Sequence, residues 1–134
     1  LEVSEGEIIA DYDRFLYELR GWTDIGARVA VDDTGAGYAS LRHVLALEPD
    51  FIKLDRSLIA GIEADRNRQA LVTALASFAN QLGSTVVAEG VETASHLDIL
   101  RSMGCDSIQG YLISKPVPEA ELLKLLKAQQ QARA

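Results

Sequence analysis

Two rhythms of apolar and polar residues alternate along the chain. Short apolar runs at residues 28–31, 51–54, 85–88 and 107–109 have the length of strands, and each stops at a polar side chain. Between them lie stretches with a helical period. Ile8, Ile9, Tyr12, Phe15, Leu16 and Leu19 make one apolar stripe, and the spacing of Ser4 to Glu7 fits a capping box, so a first helix is expected to begin at Ser4. Residues 40–47 read as a short helix closed before Pro49. Residues 65–82 read as a long amphipathic helix with Leu71, Leu75, Phe78 and Leu82 inward and Gly83 at its stop. A helix at 94–103 ends at Gly104, and Pro118 fits the start of a last helix reaching about residue 127. Residues 1–128 are expected to form the folded unit and 129–134 a frayed tail.

Strands that alternate with helices, and that read as apolar runs rather than as period-two patterns, predict an α/β fold with parallel strands. If residues 1–3 end a further strand, five strand ends are visible. They carry Glu2, then Asp32 and Asp33, then Lys53 and Asp55, then Glu89 with Glu92, then Gln109. Parallel strands bring those ends to one rim of the sheet, the side on which α/β folds build their sites.

A single acidic residue after a strand is most simply a helix cap. Five polar strand ends in succession are not explained that way, because Glu2, Glu89 and Gln109 are too long to cap well and Lys53 is unfavourable near a helix N-terminus. Adjacent carboxylates repel one another unless a positive charge lies between them. Oxygen donors converging from several strands suit a hard divalent cation, and Asp32 beside Asp33 suits two ions about 4 Å apart, which points to Mg²⁺ or Mn²⁺. Gly35 and Gly37 fit either a loop that approaches a ligand closely or a plain turn. His43 and His96 have no partner at ligand spacing and are read as surface or packing residues.

Charge and cysteine content narrow the picture. Thirteen basic against 20 acidic residues leave a formal charge of −7, which disfavours DNA or any broad nucleic-acid surface but leaves room for a small anion held through cations. No apolar stretch approaches the roughly 20 residues of a membrane span, and residues 1–10 lack the basic region of a signal peptide. A single cysteine, Cys105, permits no internal disulfide, and a cytoplasmic location is expected.

Taken in order, Leu1-Glu2-Val3-Ser4-Glu5, the run from Asp32 through Thr34-Gly35-Ala36-Gly37 to Leu41, Phe51-Ile52-Lys53-Leu54-Asp55-Arg56-Ser57, Val86-Val87-Ala88-Glu89-Gly90-Val91-Glu92-Thr93 and Gln109-Gly110-Tyr111 resemble the EAL-domain family of bacterial cyclic-di-GMP phosphodiesterases. The resemblance implies a (β/α)₈ TIM-like barrel, of which this chain is the second half, and hydrolysis of cyclic di-GMP to the linear dinucleotide pGpG. It implies that Glu2, Asp32, Asp33 and Glu89 ligate metal, with Asp33 bridging two ions, and that Asp55 supports the metal site. Lys53 would hold the attacking water, Glu89 would ligate metal or accept the proton of that water, and Gln109 would orient the nucleophile. Glu5 and Glu92 would anchor the shell and the loop carrying Gly35 and Gly37. A homodimer of the parent protein is the expected assembly, and a membrane anchor for that parent would lie in other segments.

Two departures accompany the resemblance. Thr34 stands where family members commonly have Phe. The Glu-Ala-Leu strand end and an asparagine ligand on the following strand lie upstream of the position matching Leu1. A full barrel takes about 250 residues, so the chain is expected to be a fragment, catalytically weak by itself. Two alternatives stand beside this reading: a degenerate domain that senses cyclic di-GMP or binds protein, and a phosphoacceptor receiver domain, whose acidic pair would lie earlier and which would leave Glu89, Glu92 and Gln109 without a role.

Overall fold

The computed structural model describes residues 1–4, 7–35 and 39–131. Five strands, β1 (Glu2–Ser4), β2 (Ala30–Thr34), β3 (Phe51–Leu54), β4 (Thr85–Glu89) and β5 (Ser107–Gln109), form one sheet in sequence order, every neighbouring pair parallel. The connections are α1 (Tyr12–Thr23), α2 (Ala39–Leu47), the one-turn α3 (Arg56–Ile59) with the long α4 (Arg66–Leu82), and α5 (Ala94–Ser102); α6 (Glu119–Gln131) follows β5. This is the alternation read from the sequence, with α3 as an additional turn.

Register divides the sheet into two faces. Val3, Val31, Ile52 and Val86 stand in one row across four strands, and Leu54 pairs with Ala88 in the next. These residues join Val44 of α2, Ile59 of α3, Val72, Leu75, Ala76 and Ala79 of α4, and Leu100 of α5 in the core. The opposite face carries Glu2, Lys53, Val87, Glu89 and Gln109. Its β4 residues Thr85, Val87 and Glu89 are only half-buried.

Local chemistry sets the helix ends. Asp65 caps α4 by accepting from the N–H groups of Asn67 and Arg68 at 2.9 and 3.1 Å, and Gly83 closes it in the left-handed conformation at φ +75°. Thr93 caps α5 through the His96 N–H. α1 begins not at Ser4 but at Asp11, whose carboxylate accepts from the Arg14 N–H at 3.0 Å. Ser4 is committed to the β1–β2 ladder opposite Asp32, and Ile8 lies 93% exposed, outside the stripe it was expected to extend.

The buried face of α4 is also rotated from the expected one. Val72, Leu75, Ala76 and Ala79 are buried, whereas Leu71 and Leu82 are exposed. Small residues let the helix sit close to β4, so the larger leucines are turned to its flanks. α6 continues to Gln131, past the expected end, so residues 129–131 of the expected tail are helical. No described helix is long and apolar enough to cross a membrane.

Candidate active site

The upper rim is shaped by an irregularity in β2. Val31 pairs with Ile52 and Thr34 with Leu54, so β2 spends one more residue than β3 between the two pairings. The extra residue is accommodated as a bulge, and Asp33 takes the left-handed region at φ +57°. A regular strand would send Asp32 and Asp33 to opposite faces. The bulge breaks that alternation, and the carboxylates of Asp32, Asp33 and Glu89 each offer an oxygen within 4.8 Å of the others. Asp32 Oδ1 also accepts from the Asp33 N–H at 2.9 Å, which holds the bulge closed.

Lys53 occupies the middle of the arrangement. Its Nζ lies 2.8 Å from Glu89 Oε1, 2.9 Å from Asp32 Oδ2 and 3.0 Å from Glu2 Oε1, with the side chain 11% exposed. The three ammonium donors thus meet three carboxylates supplied by β1, β2 and β4. Burial disfavours the charged amine, but the hydrogen bonds to Glu89, Asp32 and Glu2 outweigh it and raise the lysine above its ordinary 10.5. Glu2, Asp32 and Glu89 thus share one ammonium, and Asp33 lies beside Asp32 and Glu89. That donor set, all hard oxygens on four separate side chains, fits divalent cations.

The other expected residues divide into those near this cluster and those with different duties. Gln109 pairs with Glu89 across the β4–β5 ladder, on the same face. Its carbonyl accepts from the Val91 N–H at 3.1 Å, and Gly110 is pressed so closely on the Val91 backbone that a Cβ there would overlap it. A cleft of about 280 Å³ opens beside Glu89, lined by Arg56, Glu92, His96, Gln109 and Tyr111.

Asp55 caps α3, accepting from the Ser57 N–H at 2.8 Å, and is not among the three carboxylates that converge. Gly35 takes φ +103°, and a Cβ on it would overlap Leu58, so the turn after β2 requires glycine. Glu5 and Gly37 lie outside the described residues.

Both histidines are packing residues. His43 is buried, receives the Tyr12 hydroxyl on Nδ1 at 2.9 Å and donates from Nε2 to the Glu7 carbonyl at 3.1 Å. His96 Nε2 lies 3.0 Å from Glu63 Oε1. Sequence reasoning missed two acids with a structural task, Asp50 and Asp106. They stand just before β3 and β5 and accept from the N–H groups of Val29 at 2.8 Å and Val86 at 3.0 Å. An acid immediately preceding an apolar run, as in Pro49-Asp50-Phe51, is the signal that could have found them. It also missed that the buried Thr34 hydroxyl has no hydrogen-bond partner among the described residues.

Comparison with known proteins agrees with this geometry. The chain is 38% identical over 96% of its length to the cyclic di-GMP phosphodiesterase NbdA of Pseudomonas aeruginosa, of which it spans 16%. Among solved structures, the EAL domain of Mycobacterium smegmatis DcpA superposes with a TM-score of 0.89 at 35% identity, over 96% of this chain and 57% of that one. A manganese and cyclic-di-GMP complex of Klebsiella pneumoniae BlrP1 superposes with a TM-score of 0.78 at 40% identity, over 86% of this chain and 29% of that one. A calcium complex of the same protein with cyclic di-GMP matches equally in identity. The chain therefore spans less than two thirds of each of these relatives. Its five parallel strands and alternating helices match part of their TIM-barrel-type EAL domains. The EAL domain profile itself matches residues 1–116, and the chain belongs to the EAL domain family.

Proposed function

We propose that this chain is part of the catalytic domain of a divalent-metal-dependent phosphodiesterase that opens cyclic di-GMP to the linear dinucleotide pGpG. The observation that carries the reading is the convergence of Asp32, Asp33 and Glu89 at one rim of a parallel sheet, with the Lys53 ammonium paired to Asp32 and Glu89. The names of the relatives add the nucleotide, since NbdA is a cyclic di-GMP phosphodiesterase and BlrP1 holds cyclic di-GMP with manganese.

Each residue then has a task. Asp32, Asp33, Glu89 and Glu2 would hold Mg²⁺ or Mn²⁺. Bound divalent ions make a water nucleophilic near neutral pH and neutralise charge on the phosphoryl oxygens. Lys53 stays protonated and donates hydrogen bonds to the attacking water or to a phosphate oxygen. Glu89 accepts a proton from that water, and Gln109, held against Glu89 by the ladder, orients it. Asp55 fixes the start of α3 below the rim and supports the site through that turn. Glu92 steadies the shell, and the turn at Gly35 positions the loop beyond β2.

The test is hydrolysis of cyclic di-GMP by the full-length protein with Mg²⁺ or Mn²⁺. Asp33→Asn and Lys53→Ala are expected to abolish formation of pGpG, and persistent cleavage in either variant overturns the assigned roles. The present chain alone is expected to be inactive, because it spans only part of the EAL domains that it matches. Tight nucleotide binding by the full-length protein without any hydrolysis would mark the degenerate, sensing alternative.

A further inference from the structure

Lys53 and the cation-binding carboxylates compete for the same atoms. Two of the three acids that contact the ammonium, Asp32 and Glu89, also belong to the group able to hold a metal ion. Asp32 is engaged on both oxygens, Oδ2 by Lys53 and Oδ1 by the Asp33 N–H. Glu89 Oε1, the nearest of the three partners, lies 2.8 Å from Nζ. The carboxylates therefore already surround a positive charge supplied by the chain.

We infer that Lys53 is a resident counter-ion that stabilises the metal-free cluster and gives up Asp32 and Glu89 when a divalent cation binds. The inference rests on the divalent-cation reading of the same site and adds an order of events to it. Without the lysine, four carboxylates from three strands would face one another with no ammonium among them, which raises the free energy of the metal-free state. With it, that state is stabilised in the absence of an ion. The ion brings twice the charge of the ammonium and accepts more oxygen ligands, so it displaces the amine from the shared carboxylates. The released ammonium, still on rigid β3, then faces the rim with free donors, which is the state in which it serves an incoming phosphate. Holding the ammonium costs metal affinity, because the free energy of the ion pairs is lost when the ion enters.

The experiment measures metal binding rather than turnover. Mn²⁺ is titrated into metal-stripped full-length protein, and free Mn²⁺ is followed by its electron paramagnetic resonance signal, with Asp33→Asn giving the background from other sites. Lys53→Met is expected to bind Mn²⁺ on the order of tenfold more tightly than the wild type, since charge-assisted hydrogen bonds no longer oppose it. Equal or weaker binding in Lys53→Met, with the wild type binding above background, overturns the inference and leaves the metal site intact. Binding no better than background in both proteins overturns the metal reading as well.

If Lys53→Met does not fold, the wild type itself supplies the answer through acylation of lysines by an amine-reactive reagent, read by mass spectrometry. Labelling of Lys53 is expected to rise when Mg²⁺ is added, as the amine leaves its carboxylates. Unchanged or reduced labelling at saturating Mg²⁺ overturns the inference.

Discussion

Acidic residues stand at both ends of the strands, and the two ends use them differently. At the lower rim Asp50 and Asp106 each accept a backbone N–H, from Val29 and Val86, so each of these two charges is matched to a backbone donor. At the upper rim Glu2, Asp32 and Glu89 share one ammonium, and Asp33 lies beside Asp32 and Glu89. Acids that satisfy backbone groups hold strands in register; oxygens gathered as at the other rim could hold a metal ion. The division follows the general rule for parallel α/β barrels, in which one end supports the fold and the other does chemistry.

The contrast is broken most severely at Asp33. Asp33→Asn is expected to lower turnover of cyclic di-GMP by more than about a hundredfold, beyond the loss typical of a mutated outer-shell partner of a metal ligand. Its melting temperature should change little, because asparagine tolerates the left-handed backbone. Steady-state cleavage measured beside thermal unfolding checks this, and a folded-state loss comparable to the loss of activity would erase the distinction between rims.

Asp50→Ala is the reverse experiment. It leaves the buried Val29 N–H without its acceptor and should cost about 1–3 kcal/mol in urea unfolding, with turnover per folded molecule preserved. Thr34→Val is smaller and opposite in sign. Removing a buried hydroxyl that has no partner should stabilise the protein by about 1 kcal/mol, read as a higher urea midpoint.

The Lys53 ion pairs predict a pH window. Its folded value is raised above the ordinary 10.5 by Glu89, Asp32 and Glu2 in spite of burial. The stability it contributes is therefore full below 10.5 and is lost only as pH rises beyond that through the folded value. The difference in unfolding free energy between wild type and Lys53→Met should stay flat from pH 8 to about 10 and shrink only at higher pH. The smallest effect concerns Cys105 at the lower rim, whose thiol is pushed up to about 11 by burial and by the neighbouring Asp106. It should label slowly with iodoacetamide at neutral pH, well behind a free thiol in the same solution.

Much of this was legible in the sequence, for identifiable reasons. The residue ranges of β3 and β5 coincide with the expected ones, and β2, β4, α2, α4 and α5 lie within two or three residues, because apolar runs and caps such as Asp65 and Thr93 are local signals. The gathering of Glu2, Asp32, Lys53 and Glu89 at one rim follows from parallel order and strand alternation, whereas bringing Asp33 to the same group takes the β2 bulge. What remained hidden depends on tertiary pairing. Ser4 looked like a cap because its pairing with Asp32 cannot be seen locally, and the buried stripe of α4 was displaced by its close approach to β4. The β2 bulge was equally invisible, since it is defined by counting residues against β3. Asp55 was grouped with the rim acids, although its carboxylate is engaged with Ser57.

The unusual backbone of Asp33 also shapes what descendants of this chain can become. Only aspartate, asparagine and glycine sit readily at φ +57°, so selection against distortion confines this position to a narrow alphabet. Two of those three letters carry no carboxylate. A lineage can thus fall silent here through one tolerated replacement while its architecture persists, and the fold is then free to be recruited for recognition alone.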